Sequence, residues 1–340
     1  MTVSRKSILV AGFLLVPLFL GGCKEFEITT EIARDGSLLR TVAVQGDSSG
    51  FGETVLALPA APGWRTSSRP DSEEVGTIWY GFEREFRRVG DLQADIEARP
   101  GNRWAVRSRV GLEKRHRWFA TWWTWTEAYD PAWPFADPPP EDCFTPEELI
   151  RLQNDEADST LSARGERWQI RTLYEQFFTR LRRGAVRLDA PDLAPERLDE
   201  EKEALFETVI AAADEADEDE LVEVLLTTCT NFFGSPAVAG LRPEIEDFNR
   251  LYREFSSWHE MFSGEGYIHR VVMPGVIVDS NADEVHMNMA RWEIEPGEFL
   301  YFPFSIEVTS RATNVTLLVV AGILLAGLIA ILAILALRRI

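Results

Sequence analysis

Four histidines, His116, His259, His269 and His286, and three cysteines, Cys23, Cys143 and Cys229, are all the imidazole and thiol chemistry this chain offers. No two histidines stand at metal-ligand spacing, and neither an HExxH segment nor a cysteine-rich zinc pattern occurs. A G-x-S-x-G elbow, a phosphate-binding glycine loop and a dinucleotide fingerprint are missing as well. The sequence therefore predicts no metal, no cofactor and no catalytic set. One arrangement keeps hydrolysis open. Two of the carboxylates Glu127, Asp130, Asp279 and Asp283, brought within about 5 to 10 Å, would serve as acid and base on an envelope polymer.

A second arrangement is suited to binding. Arg103, Arg107, Arg109, Lys114, Arg115 and Arg117 crowd into fifteen residues with one acid, Glu113, and lead into "RWFATWWTWTEAY". A basic edge beside Trp122 and Trp123 fits anionic lipid headgroups, each basic side chain near such a surface contributing about 1 kcal/mol. The competing use of these charges is pairing with an acidic body. The aromatic run itself is rich in Thr and Trp, as strands are. Extended, it puts Trp118, Ala120, Trp122 and Thr124 on one face and Phe119, Thr121, Trp123 and Trp125 on the other. Both faces are apolar, which predicts a central strand covered on both sides. A glycan or cation shelf and a belt at a lipid interface are the alternatives.

The ends of the chain say where such a surface would be. Arg5 and Lys6 precede an apolar stretch from Ile8 to Leu20, the layout of an export signal. It closes on "LGGC", which resembles a bacterial lipobox and makes Cys23 the expected lipidated residue. At the other end Val315 to Leu337 is uncharged and long enough to span a bilayer core of roughly 30 Å. Arg338 and Arg339 follow it, which puts the tail in the cytoplasm and the body outside. Ser310 to Asn314 can stretch no more than about 17 Å. Acyl chains and helix are thus expected in one membrane, with the body held near its outer leaflet.

Setting Arg5, Lys6, Arg338 and Arg339 aside from the 35 basic side chains leaves 31 against 55 acidic ones. That balance argues against nucleic acid as a partner and leaves membrane lipids or another envelope protein. With Cys23 assigned to lipid, Cys143 and Cys229 are an even pair in an oxidising compartment, suited to a disulfide. Two buried thiols are the alternative.

Positioning all this requires three stretches. The first, 23–140, is β-rich: Asp35-Gly36 between alternating runs signals a hairpin, "GTIWYGFEREF" and "RWAVRSRVGL" read as strands, "GDLQADIEA" as a short helix and "EKRHR" as a loop. The second, 141–264, is helical. Thr145 and Glu148 form a capping box around Pro146, and the helix carrying Trp168, Leu173, Tyr174, Phe177 and Leu181 is expected to stop at Gly184. The acidic run from Asp214 to Glu220 suits a solvated helix start better than a calcium loop. The third, 265–310, returns to strands, broken at Pro274-Gly275 and turning near Asn281. The fold class is α+β: a sheet scaffold built from both ends of the chain around a helical insertion, followed by one transmembrane helix.

The lipobox, the early Asp-Gly hairpin, the late "PGVIVDSNADEVHMNMARWEI" with Pro274-Gly275, Asn281-Ala282 and Trp292, and the terminal apolar helix together resemble LppM-type bacterial membrane lipoproteins. The resemblance covers the two β portions and not the helical insertion. It implies a lipid-associated envelope lipoprotein without catalytic activity, and carries over no site residues.

Overall fold

A computed structural model describes residues 24–337 apart from 48–53, 60–61, 72–75, 100–103, 118, 136, 154–155, 214–219, 264, 296–297, 299 and 301–302. Cys23 and its leader, Arg103, Trp118, the acidic run up to Asp219, and Arg338 and Arg339 lie outside the described residues. The chain is a mixed α and β structure. It begins with β1 (Lys24–Ile32), β2 (Leu38–Gly46), β3 (Arg65–Pro70), β4 (Ile78–Phe86), α1 (Val89–Ala98), β5 (Ser108–Arg117) and β6 (Ala120–Tyr129). Five helices follow: α2 (Pro146–Gln153), α3 (Ser159–Leu188), α4 (Pro195–Ala213), α5 (Leu221–Phe233) and α6 (Arg242–Ser263). The chain closes with β7 (Glu265–Val272), β8 (Val276–Ser280), β9 (Glu284–His286), β10 (Met289–Ile294), β11 (Phe304–Thr313) and α7 (Val315–Leu337).

Helices α2 to α6 belong to one unit, Trp133–Gly264, and the strands belong to another, made of Cys23–Ala132 and Glu265–Ile340. In the strand unit, one sheet has the order β3-β4-β2-β1-β7-β10-β9 and the other the order β5-β6-β11-β8. Asp35 and Gly36 make the turn between β1 and β2: the Asp35 carboxylate accepts the Ser37 amide at 2.9 Å, and Gly36 takes φ +96°. β1 then pairs in parallel with β7, across the whole helical stretch of sequence. Residues of one phase fill the core, among them Phe26, Ile28, Val42, Val44, Trp125, Val271, Ile306 and Val308.

Gly275 is where the chain changes sheets. β7 ends in the larger sheet, β8 pairs with β11 in the smaller one, and β9 and β10 return to the larger. The crossing brings Gly275, at φ +98°, so close to β11 that a Cβ there would lie 2.5 Å from the Arg311 carbonyl. The Pro274 carbonyl accepts the Ser310 hydroxyl at 3.0 Å. Only glycine fits that approach.

The helical unit is assembled around rings: Trp133 meets Trp168 at 5.8 Å and Phe255 at 5.1 Å, and its indole N–H donates to Thr172. The capping box is present in both directions, the Thr145 amide donating to Glu148 at 3.0 Å and the Glu148 amide to the Thr145 hydroxyl at 3.3 Å. Gly184 is not a stop. α3 runs through it to Leu188, and a Cβ there would lie 2.7 Å from Leu241 and 2.8 Å from Glu244, so this glycine serves close packing. The helix ends instead at Asp189, in the left-handed region at φ 49°.

Other expectations need correction. Cys143 and Cys229 are both free thiols. The Cys143 carbonyl accepts from Arg164, whereas Cys229 acts electrostatically on Tyr174, ten residues further along α3. "EKRHR" is strand, because β5 stays paired with β6 as far as Arg117 opposite Ala120. β6 is covered on one face only: Thr121, Trp123, Trp125, Glu127 and Tyr129 are buried, while Ala120, Trp122, Thr124, Thr126 and Ala128 are half-buried. Finally, Ser310 to Thr313 belong to β11, so Asn314 alone joins strand to helix. Side chains in α7 are described as far as residue 331, and among the described residues no helix is long and apolar enough to cross a membrane.

Candidate functional site

The end of the strand unit from which α7 emerges collects the features that suit binding. The Asn314 amide donates to the Phe119 carbonyl at 2.7 Å, and its side chain accepts the Leu317 amide at 3.2 Å, capping the helix. This ties the start of α7 to the tip of the β5–β6 hairpin. Register then fixes which side chains stand nearest. Arg117, Ala120 and Thr313 form the first row across the smaller sheet, and Arg115, Trp122, Arg311 and Val276 the second. Paired residues share a face, so these rows lie on the half-open face, where the Arg311 guanidinium sits over the Trp122 ring at 6.0 Å. Further from the helix the rows turn polar and acidic: Glu113, Thr124, Thr309 and Asp279, then Gly111, Thr126 and Glu307. A groove of about 620 Å³ runs along this face.

The larger sheet adds to the same end. Lys114 donates to the Arg34 carbonyl at 3.2 Å, which brings the β1–β2 turn beside β5. Ile277 donates to Met287, so the β9–β10 turn stands there too. Met287 holds φ 46° and is 82 % exposed, and Phe119 is 41 % exposed. Basic and apolar side chains thus meet at one end of a body that is acidic overall.

Of the residues singled out from sequence, Arg115, Arg117 and Trp122 are on this face near α7. Arg109 shares the face but lies at its far end, paired with Asp130 at 2.7 Å. Arg107 is drawn away to the carbonyls of Glu97 and Arg99. Lys114 and Trp123 are on the inner side: Trp123 is 2 % exposed, with the Lys114 ammonium 4.3 Å above its ring. Trp123 packs the core and presents nothing to a partner. Sequence reading missed Arg311, which enters through strand register, and Met287, a lone residue in a turn.

The carboxylates do not form an acid and base pair around Glu127. Its side chain is fully buried and accepts Arg40 Nη1 and Nη2 at 2.8 and 2.7 Å, Ser108 at 2.8 Å and Tyr129 at 3.0 Å. Burial pushes this carboxyl up, yet Arg40 outweighs it and holds the pKa at about 2. His269 stands 3.4 Å from Glu127, and burial pushes its pKa down to about 3, leaving it neutral. The Tyr129 hydroxyl donates to Glu127, so its oxygen is left to accept His269 Nδ1–H at 3.1 Å. Thr30 accepts from Arg40 as well. The cavity beside the pair measures about 20 Å³, room for one solvent-sized particle and none for a sugar ring. Asp130, Asp279 and Asp283 sit on strand ends and edges, Asp283 accepting the Glu293 amide at 2.7 Å. Among the described residues no group of histidine, cysteine and acidic side chains could hold a metal.

No family model and no curated protein matches this chain. Among solved structures, the folded domain of the Mycobacterium tuberculosis LppM protein aligns over 88 % of this chain and 95 % of that one, at 9 % identity and a TM-score of 0.31. A likeness at that level decides nothing about fold or role.

Three charged or polar members of the buried cluster did leave a trace in the sequence. Arg40 is in phase with Leu38, Val42 and Val44, Glu127 with Trp123 and Trp125, and His269 with Tyr267 and Val271. Charges at inward positions of three strands imply that they meet inside.

Proposed function

We propose that this chain is a cell-envelope lipoprotein with a binding role, attached to a membrane through an acyl group on Cys23 and through α7, its strand unit lying on the extracytoplasmic side. The observation that carries the reading is the single residue between β11 and α7. Because Asn314 is bonded to the tip of the β5–β6 hairpin, a bilayer that receives α7 must meet Arg115, Arg117, Arg311, Phe119 and Met287 at its surface. Basic residues there suit anionic headgroups, and the two exposed apolar side chains suit the interfacial layer. Over its 23 residues α7 would reach about 34 Å, and the uncharged sequence from Val315 to Leu337 supports the attachment. Its large apolar side chains are exposed from Val315 through Ile331, which is costly in water and favourable in lipid.

The test is fractionation of cells making the wild type and Cys23→Ser. Acyl labelling is lost in the variant, and both proteins resist alkaline carbonate extraction. Release of the variant into the soluble fraction would refute the reading of α7. A hydrogen-exchange comparison completes the test: residues 113–120 exchange more slowly in nanodiscs containing phosphatidylglycerol than in phosphatidylcholine alone, and R115Q/R117Q/R311Q removes the difference.

A further inference from the structure

Inside the strand unit, two guanidinium groups border one small cavity, and each has a nitrogen without an acceptor among the described residues. Arg40 Nε and Arg99 Nη2 are buried and have no hydrogen-bond partner among the described residues, and both residues line the cavity of about 20 Å³ between the two sheets. Their other nitrogens each make at least one bond. Arg40 holds Glu127 with both terminal nitrogens, while Arg99, 8 % exposed, donates to Asp95 at 3.3 Å and to the Ala57 carbonyl at 3.1 Å. A buried donor left unpaired costs about 1–3 kcal/mol, more when it is charged, and two such donors facing one space point to a missing acceptor.

Charge says what kind of acceptor. Around the cavity, Arg40 is balanced by Glu127, but Asp95 is shared by Arg99 and by Arg84 at 2.7 Å. The charged residues that line the cavity are Arg40, Arg99 and Arg107 against the single carboxylate Glu127, Asp95 lying outside the lining. Proximity of Arg40, after burial itself, depresses the Arg99 pKa. His269 offers no negative charge, and Tyr129 is held protonated by burial and by Glu127. A water would accept both N–H groups and leave the positive charge uncompensated. A phosphate or sulfate needs more room than one solvent-sized site, and a carboxylate needs space for the chain attached to it. The remaining walls, such as Phe26, Val42, Leu56 and Ile96, are apolar and suit a polarisable sphere.

We propose that the cavity is an anion site holding one halide-sized monovalent ion, chloride under physiological conditions, between Arg40 Nε and Arg99 Nη2. The ion neutralises the cluster and locks the packing of β2 against Arg99, at the end of α1, and the stretch carrying Ala57 that it bonds. It is a structural ligand, independent of the membrane attachment proposed above.

The experiment uses the full chain in detergent at constant ionic strength, with sodium gluconate exchanged stepwise for sodium chloride or bromide. The unfolding temperature rises by roughly 3–5 °C for each tenfold increase in halide above its dissociation constant, and Arg99→Gln loses the halide dependence. Crystals of the wild type grown in bromide provide a second measurement that does not depend on the stability of that variant: one anomalous peak is expected between Arg40 and Arg99. Equal unfolding temperatures in gluconate and halide, bromide peaks on the exposed surface alone (an adventitious ion only), or a water in the cavity of bromide-grown crystals would each overturn the proposal.

Discussion

His269 and Glu127 titrate far from their ordinary values in opposite settings, and both make the fold sensitive to acid. The unfolded histidine binds its proton near pH 6.5, and the buried one near 3. Between those values the unfolded chain holds the extra proton, so this contribution is complete above about 6.5 and declines as pH falls toward 3. Glu127 contributes above 4.5, its unfolded value, and that stability is lost as pH falls toward about 2. Stability should therefore begin to decline well above the range where carboxylates protonate, with a slope of up to about 1.4 kcal/mol per pH unit from one histidine. Urea midpoints measured from pH 8 to 4 check this: His269→Gln should flatten the limb between pH 6.5 and 4.5, and an unchanged limb would mean that the histidine is not buried neutral. The cluster was legible only as misplaced charges on inward phases. Which charges meet depends on sheet order, and sheet order depends on a crossing that no local pattern announces.

At the level of elements, glycine explains both a success and a failure of sequence reading. Pro274-Gly275 signals a break, and a break is there; what the pair does not signal is a change of sheet, since β8 could equally have remained beside β7. The turn works only because the backbone of β11 passes within reach of the missing side chain. Gly275→Ala combines an unfavourable φ with a backbone clash, and should cost about 2–4 kcal/mol, read as a lowered chemical midpoint with accelerated exchange in β8 and β11. A loss below about 1 kcal/mol would mean that the crossing is loose. Gly184 looked like a helix end by composition, yet it sits where α6 and the turn before it press on α3. The capping box at Thr145 was readable because its chemistry is complete within four residues. Helix–helix approach is not local, and sequence spacing cannot distinguish a glycine that stops a helix from one that lets another approach.

For the molecule as a whole, α+β organisation was legible because the hydrophobic period changes twice along the chain, from 2 to 3.6 and back. Shared sheets between the first and last stretches followed from their unmet apolar faces. Direction was not legible. β1 starts at Lys24 and runs toward the end of the unit that carries α7, where its turn meets Lys114. The residue next to Cys23 and the first residue of α7 are therefore at opposite ends of a nine-residue strand, about 30 Å apart. If both attachments enter one bilayer, the unit cannot stand upright on α7. It must recline, strands along the surface, and losing the acyl group should let it rise. Energy transfer from a dye at Ser305→Cys, at the far end of β11 and in a Cys143→Ser background, to labelled lipid should weaken when Cys23→Ser is added. Equal transfer with and without the acyl group would contradict this. On the attachment proposed above, α7 would retain the protein by itself, and a lipid at Cys23 would act as a second foot whose purpose is posture.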